Sequence, residues 1–175
     1  MRAGPMCYFL TMATPLTLSE VRSMLPAGLA AHPVGAAEAA TFRRLLPSAQ
    51  TVATLLIGGC SCDLVRVRHP DPREDERHLR TRYSRMQLAR DQIILQLERH
   101  RHRPERSEPP DGWRNAVVAF AAEHARNAGP TLYLLQFGPG YLPPSPGRVV
   151  TRTRAEVVAG GGHWLEEDCP VIVVR

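Results

Sequence analysis

The chain has 175 residues, 43% of them hydrophobic, and a formal net charge of +5. That length suits one domain, expected over residues 1–175, with enough apolar side chain for a core. No apolar run approaches the roughly 20 residues of a spanning helix, and the first residues lack the zones of a secretory leader. A cytoplasmic setting is therefore expected, at the cytoplasmic face of a membrane if near one at all.

In chain order, residues 6–14 read as a strand ended by Pro15. A short helix follows from Thr17 or Ser19, with Val21, Met24 and Leu25 at helical spacing before Pro26. Residues 26–40 are rich in Ala, Gly and Pro without pattern and read as a loop with one helical turn at most. Phe42 to Leu46 reads as a short strand or turn. Residues 51–57 form the clearest strand, apolar enough to be covered on both faces. Gly58-Gly59 marks a bulge or bend, and Val65-Arg66-Val67-Arg68 alternates like a half-exposed strand.

After the loop His69–Pro72, one long helix is expected from Glu74 to Arg101. Leu79, Tyr83, Met86, Ile93 and Leu97 share one of its faces. This basic helix and the Pro-rich linker behind it span 70–110. A second helix, capped by Asp111, carries Trp113, Val117, Phe120 and Ala121 and stops at Gly129-Pro130. Thr131 to Phe137 is a strand, 138–147 a stiff Pro/Gly loop, Arg148 to Val158 a strand, and Val171 to Val174 the last strand. Helices in the middle and strands at both ends predict an α+β fold. It would hold a mostly antiparallel sheet with two or three helices on one face, a ferredoxin-like arrangement being one candidate.

The four cysteines all stand at strand edges: Cys7 opens the first strand, Cys60 and Cys62 close the run that begins at Thr51, and Cys169 opens the last. In a reducing compartment they read as thiols or metal ligands rather than disulfides. Thiolate sulfur suits a tetrahedral Zn²⁺ or an iron ion. The candidate set is Cys7, Cys60, Cys62 and Cys169, with His163 as a replacement fourth ligand. Cys169 would stand beside Cys7 if the first and last strands paired in parallel. Two other readings compete: the bland one, no bound ion and thiols simply filling core space, and a functional one, a redox role. The blocks Met6-Cys7-Tyr8 and Cys60-Ser61-Cys62-Asp63-Leu64 resemble those of a group of small uncharacterised bacterial proteins. That resemblance implies no activity; it implies only that the two cysteine blocks belong together.

All 22 basic residues are arginine. Exposed positions accept either cation, so codon usage in a GC-rich bacterial genome explains the exclusion better than bidentate recognition does. The window 66–106 holds twelve arginines and seven acids, an excess equal to the charge of the whole chain. Arg80, Arg82, Arg85, Arg90, Arg99 and Arg101 could face acidic protein, anionic lipid or nucleic acid, although interleaved acids also fit a solvated face. His100 and His102 extend the stripe without sharing a helix face. Glu166-Glu167-Asp168 reads as an acidic turn that could hold a hard cation.

No catalytic residue stands out. The run Gly160-Gly161-Gly162-His163 lacks the residues of a phosphate loop, and no G-x-S-x-G or H-E-x-x-H occurs. The leading expectation is a non-catalytic accessory subunit docking on a larger protein assembly, in one version membrane-extrinsic. A metal-binding or thiol-redox protein is the alternative, and nucleic-acid binding through the arginine-rich helix the third.

Overall fold

The computed structural model describes residues 7–65, 72–102, 112–138 and 148–175. Six strands form one sheet: β1 (Cys7–Thr14), β2 (Ala30–Pro33), β3 (Thr51–Leu56), β4 (Thr131–Gly138), β5 (Val150–Thr153) and β6 (Val171–Val174), in the order β2-β3-β1-β4-β6-β5. Every pairing is antiparallel except β5 with β6. The fold is thus α+β with a mostly antiparallel sheet. The element order does not reproduce the β-α-β-β-α-β of a ferredoxin-like unit.

The described residues hold seven α-helices, more than the two or three expected: α1 (Leu18–Met24), α2 (Ala36–Leu45), α3 (Cys62–Val65), α4 (Pro72–Arg85), α5 (Arg90–Arg101), α6 (Gly112–Ala128) and α7 (Arg154–Gly160). They do not share one face. Alternation along the strands sends Leu10, Met12, Ala53, Leu55, Tyr133 and Leu135 to one side, where Trp113, Val117, Phe120 and Ala121 of α6 cover them. Ala13, Val52, Leu132 and Leu134 point to the other side and meet Ala39 and Phe42 of α2. A third cluster, Tyr83, Ile93, Leu97 and Phe137, packs the α4–α5 pair against the far end of β4.

Several boundaries differ from expectation for identifiable reasons. β2 and α2 replace the loop expected over 26–40 and the short strand or turn expected over 42–46, because an alanine-rich helix needs only Ala39 and Phe42 as buried contacts. The long basic helix is broken at Met86–Ala89. Gln87 takes a left-handed backbone (φ 58°), Leu88 N–H reaches back to Tyr83 O (3.2 Å), and the Gln92 side chain accepts from Ala89 N–H (3.2 Å) to start α5. The strand expected over 148–158 ends at Thr153. There Thr153 Oγ1 accepts from Glu156 N–H (3.3 Å) and the Glu156 carboxylate accepts from Thr153 N–H (2.6 Å), a capping box that opens α7. The same device at Thr17 and Glu20 opens α1 as expected. Val65, expected in a strand, ends α3, and Arg66–Arg68 lie outside the described residues. So do the loop 139–147 and residues 103–111 of the linker. Gly162 is fixed by crowding: a Cβ there would fall 1.3 Å from Arg114 Nε.

Candidate metal centre

The thiol corner is built where β3 leaves the sheet. After Leu56 the chain reverses through Gly58, whose φ of +63° suits glycine, and Ile57 N–H closes the turn on Cys60 O (2.9 Å). The reversed chain then lies across the start of β1. Ser61 N–H donates to Tyr8 O (2.8 Å), Ser61 Oγ accepts from Leu10 N–H (2.8 Å) and donates to Leu55 O (2.5 Å). Leu10 and Leu55 face each other in the β1–β3 ladder. Ser61 therefore fills the gap where backbone pairing stops, and its burial leaves none of these groups orphaned.

This seating brings three sulfurs together. The Sγ atoms of Cys7, Cys60 and Cys62 all lie within 4.8 Å of one another. Cys60 is buried and Cys7 and Cys62 are half-buried. Tyr8 N–H donates to Cys62 Sγ (3.3 Å), so both backbone groups of Tyr8 are taken by Ser61-Cys62. The Cys7 thiol is pushed well up by its contacts with Cys60 and then Cys62, and by burial. Cys62 is also raised, by Cys60 first and then burial, with Cys7 and the Tyr8 N–H pulling the other way. Crowded thiols resist losing several protons at once; a cation would reverse that preference by neutralising the charge.

Aromatic residues and one guanidinium surround the corner. The Tyr8 and Phe137 rings lie 4.9 Å apart, and Tyr83 stacks on Phe137 at 6.2 Å. Tyr83 is pushed up to about 12, by burial and then by the nearby Cys62 and Cys7. The Arg82 guanidinium sits 4.0 Å from the Phe137 ring centre and 4.8 Å from that of Tyr8. It donates to the Tyr8 hydroxyl and to both carboxylate oxygens of Glu167. Tyr8 and Ser61 adjoin the cysteines in sequence, but nothing in the sequence pattern pointed to Arg82 or Tyr83 as neighbours of the thiols.

Cys169 is not in this group. β4 lies between β1 and β6, so the parallel pairing that would bring it to Cys7 does not form. Its Sγ donates instead to Arg148 O (3.4 Å). His163 is also elsewhere, with Nδ1 3.3 Å from an Arg114 nitrogen. The acidic turn is engaged by arginines, Glu167 by Arg82 and Glu166 by Arg152 (3.5 Å). Of the expected basic stripe, Arg82 folds inward, while Arg80 and Arg101 both meet Glu76 (3.4 and 2.7 Å). Arg85, Arg90 and Arg99 stand exposed. No described helix is long and apolar enough to cross a membrane. Neither a family model, nor a curated protein, nor a solved structure matches the chain.

Proposed function

We propose that the protein binds one borderline-soft divalent cation, Zn²⁺ in the first instance, through the thiolates of Cys7, Cys60 and Cys62. The observation behind this reading is the grouping of three sulfurs within 4.8 Å. Tetrahedral Zn–S bonds of about 2.3 Å put ligand sulfurs somewhat under 4 Å apart, so small side-chain rotations suffice. Three protein ligands leave one position for water or for a ligand from elsewhere. Because the ligating thiols must lose their protons, affinity rises with pH and binding releases protons.

Titrating the reduced, metal-free protein with Co²⁺ tests this reading. The expected result is thiolate-to-cobalt absorption saturating at one ion per chain and displaced by Zn²⁺. Absence of stoichiometric binding overturns it.

The docking reading has its own support. Met86 at the break between α4 and α5 and Ile94 and Leu95 of α5 are 39%, 43% and 46% exposed, beside the exposed Arg85, Arg90 and Arg99. An accessory subunit would use such a surface. Light scattering and capture from native extract test it, and a lone monomer at modest salt counts against it. Nucleic-acid binding draws less support, since three of the six arginines of the stripe face carboxylates of the same chain.

A further inference from the structure

We propose that Cys7 and Cys62 form a thiol–disulfide couple, closing one bridge by exchange with a low-molecular-weight disulfide while Cys60 stays a thiol. The control this gives over metal binding rests on the metal reading; the bridge itself does not.

Geometry selects the pair. The three sulfurs are within 4.8 Å of one another, so the two that bond have a short gap to close to reach about 2.05 Å. A Cys60–Cys62 bridge would close over Ser61 alone, whose N–H and hydroxyl are held by Tyr8 O, Leu10 N–H and Leu55 O. Closing so small a ring twists that peptide and breaks those bonds. Cys60 is 4% exposed and out of reach of a bulky reagent, whereas Cys7 and Cys62 are half-buried. The bond from Tyr8 N–H to Cys62 Sγ holds that sulfur against the first peptide of β1, next to Cys7.

The exchange balances. The Cys62 thiolate attacks one sulfur of the small disulfide, forming a mixed disulfide and expelling one small thiolate. The Cys7 sulfur, its proton given to solvent, attacks Cys62 Sγ and expels the second small thiolate. Two protein thiols are oxidised, one small disulfide is reduced to two thiols, and the protons end on those thiols. The bridge withdraws two of the three metal ligands, so the reduced chain binds the cation and the oxidised chain does not.

The test equilibrates the full, zinc-free chain in glutathione buffers of graded ratio, with acid quenching, thiol blocking and peptide mapping by mass. Two of the four thiols should disappear together, the bridged peptides being those of Cys7 and Cys62. Cys169→Ser and Cys60→Ala should keep that bridge, and Cys62→Ser should stop at a mixed disulfide or at none. Stoichiometric Zn²⁺ should move the midpoint to more oxidising buffer. A Cys60–Cys62 bridge in the wild-type chain, or four unbridged thiols in the most oxidising buffer, overturns the proposal. If the Cys7–Cys62 bridge forms and Zn²⁺ leaves the midpoint unmoved, the metal reading fails and the bridge stands. If Co²⁺ binds one to one and no bridge forms, the bridge fails and the metal reading stands.

Discussion

Cys7 and Cys169 occupy similar places in the sequence, Cys7 as the first residue of β1 and Cys169 two residues before β6, yet their surroundings differ. β1 is flanked by β3 and β4, and the chain leaving β3 reverses over its start, so Cys7 meets two more thiols. β6 lies between β4 and the short β5, and the Cys169 sulfur meets the carbonyl of Arg148 on the approach to β5. A cysteine at a strand start is thus a ligand candidate only if the neighbouring strand's exit loop folds back across it. Sheet order decides this, and sheet order is not a local property.

The comparison breaks most visibly at the metal. Cys7→Ser or Cys60→Ser should abolish one-to-one Co²⁺ binding, whereas Cys169→Ser should leave the titration unchanged; equal losses from all three would dissolve the distinction between the corners. Next in size is Ser61→Ala. It orphans Leu10 N–H and Leu55 O in a buried setting, for an expected loss of about 3 kcal/mol in urea unfolding, together with weaker metal binding.

A pH response from elsewhere must be separated from that of the thiols. His124 on α6 is buried, its Nε2 2.7 Å from Thr14 Oγ1 and its Nδ1 without a partner among the described residues. Burial pushes it down to about 4. The unfolded chain therefore takes up this proton first as pH falls. Stability from this group is complete above the unfolded value near 6.5 and is lost between there and about 4, by roughly 3 kcal/mol at most. Urea unfolding of metal-free protein at pH 7.5 and 4.5 should show this drop in wild type and a smaller one in His124→Gln.

Smaller again is Arg82→Gln, which removes the link between the two corners through Tyr8 and Glu167. The expected loss is about 1–2 kcal/mol, reduced in high salt as far as the Glu167 ion pair carries it. Least is Thr153→Ala, which uncaps α7 on the Cys169 side for about 1 kcal/mol and should leave Co²⁺ binding untouched.

Elements with a dense apolar run or a clear stop were legible in the sequence: β3, β4 and β6, α1 behind Thr17, and α6 up to Gly129-Pro130. Those that failed had no local signal. β2 and α2 are Ala-rich, so hydrophobic periodicity is faint. The break at Gln87 uses a left-handed residue that is neither Gly nor Asn. α7 was hidden behind threonines that favour strands, although Thr153-Arg154-Ala155-Glu156 carried a capping pattern. The grouping of Cys7 with Cys60 and Cys62 was readable from strand-edge positions and the shared blocks. The exclusion of Cys169 was not, because nothing local says that β4 inserts between β1 and β6.

The bonds that seat Ser61 and Cys62 on β1 join residues 51 and 54 positions apart. Contacts of that span carry a loop-closure entropy that local turns do not, and they form late on average. Before β1 arrives, a chain offers only the neighbouring Cys60 and Cys62 to a cation, a two-point grip. The third sulfur comes with the docked strand. If the three thiols hold a cation as proposed, the rise to full affinity is a clock for the closing of β1 on β3, and metal supplied to a refolding chain would report the time at which the two distant segments meet.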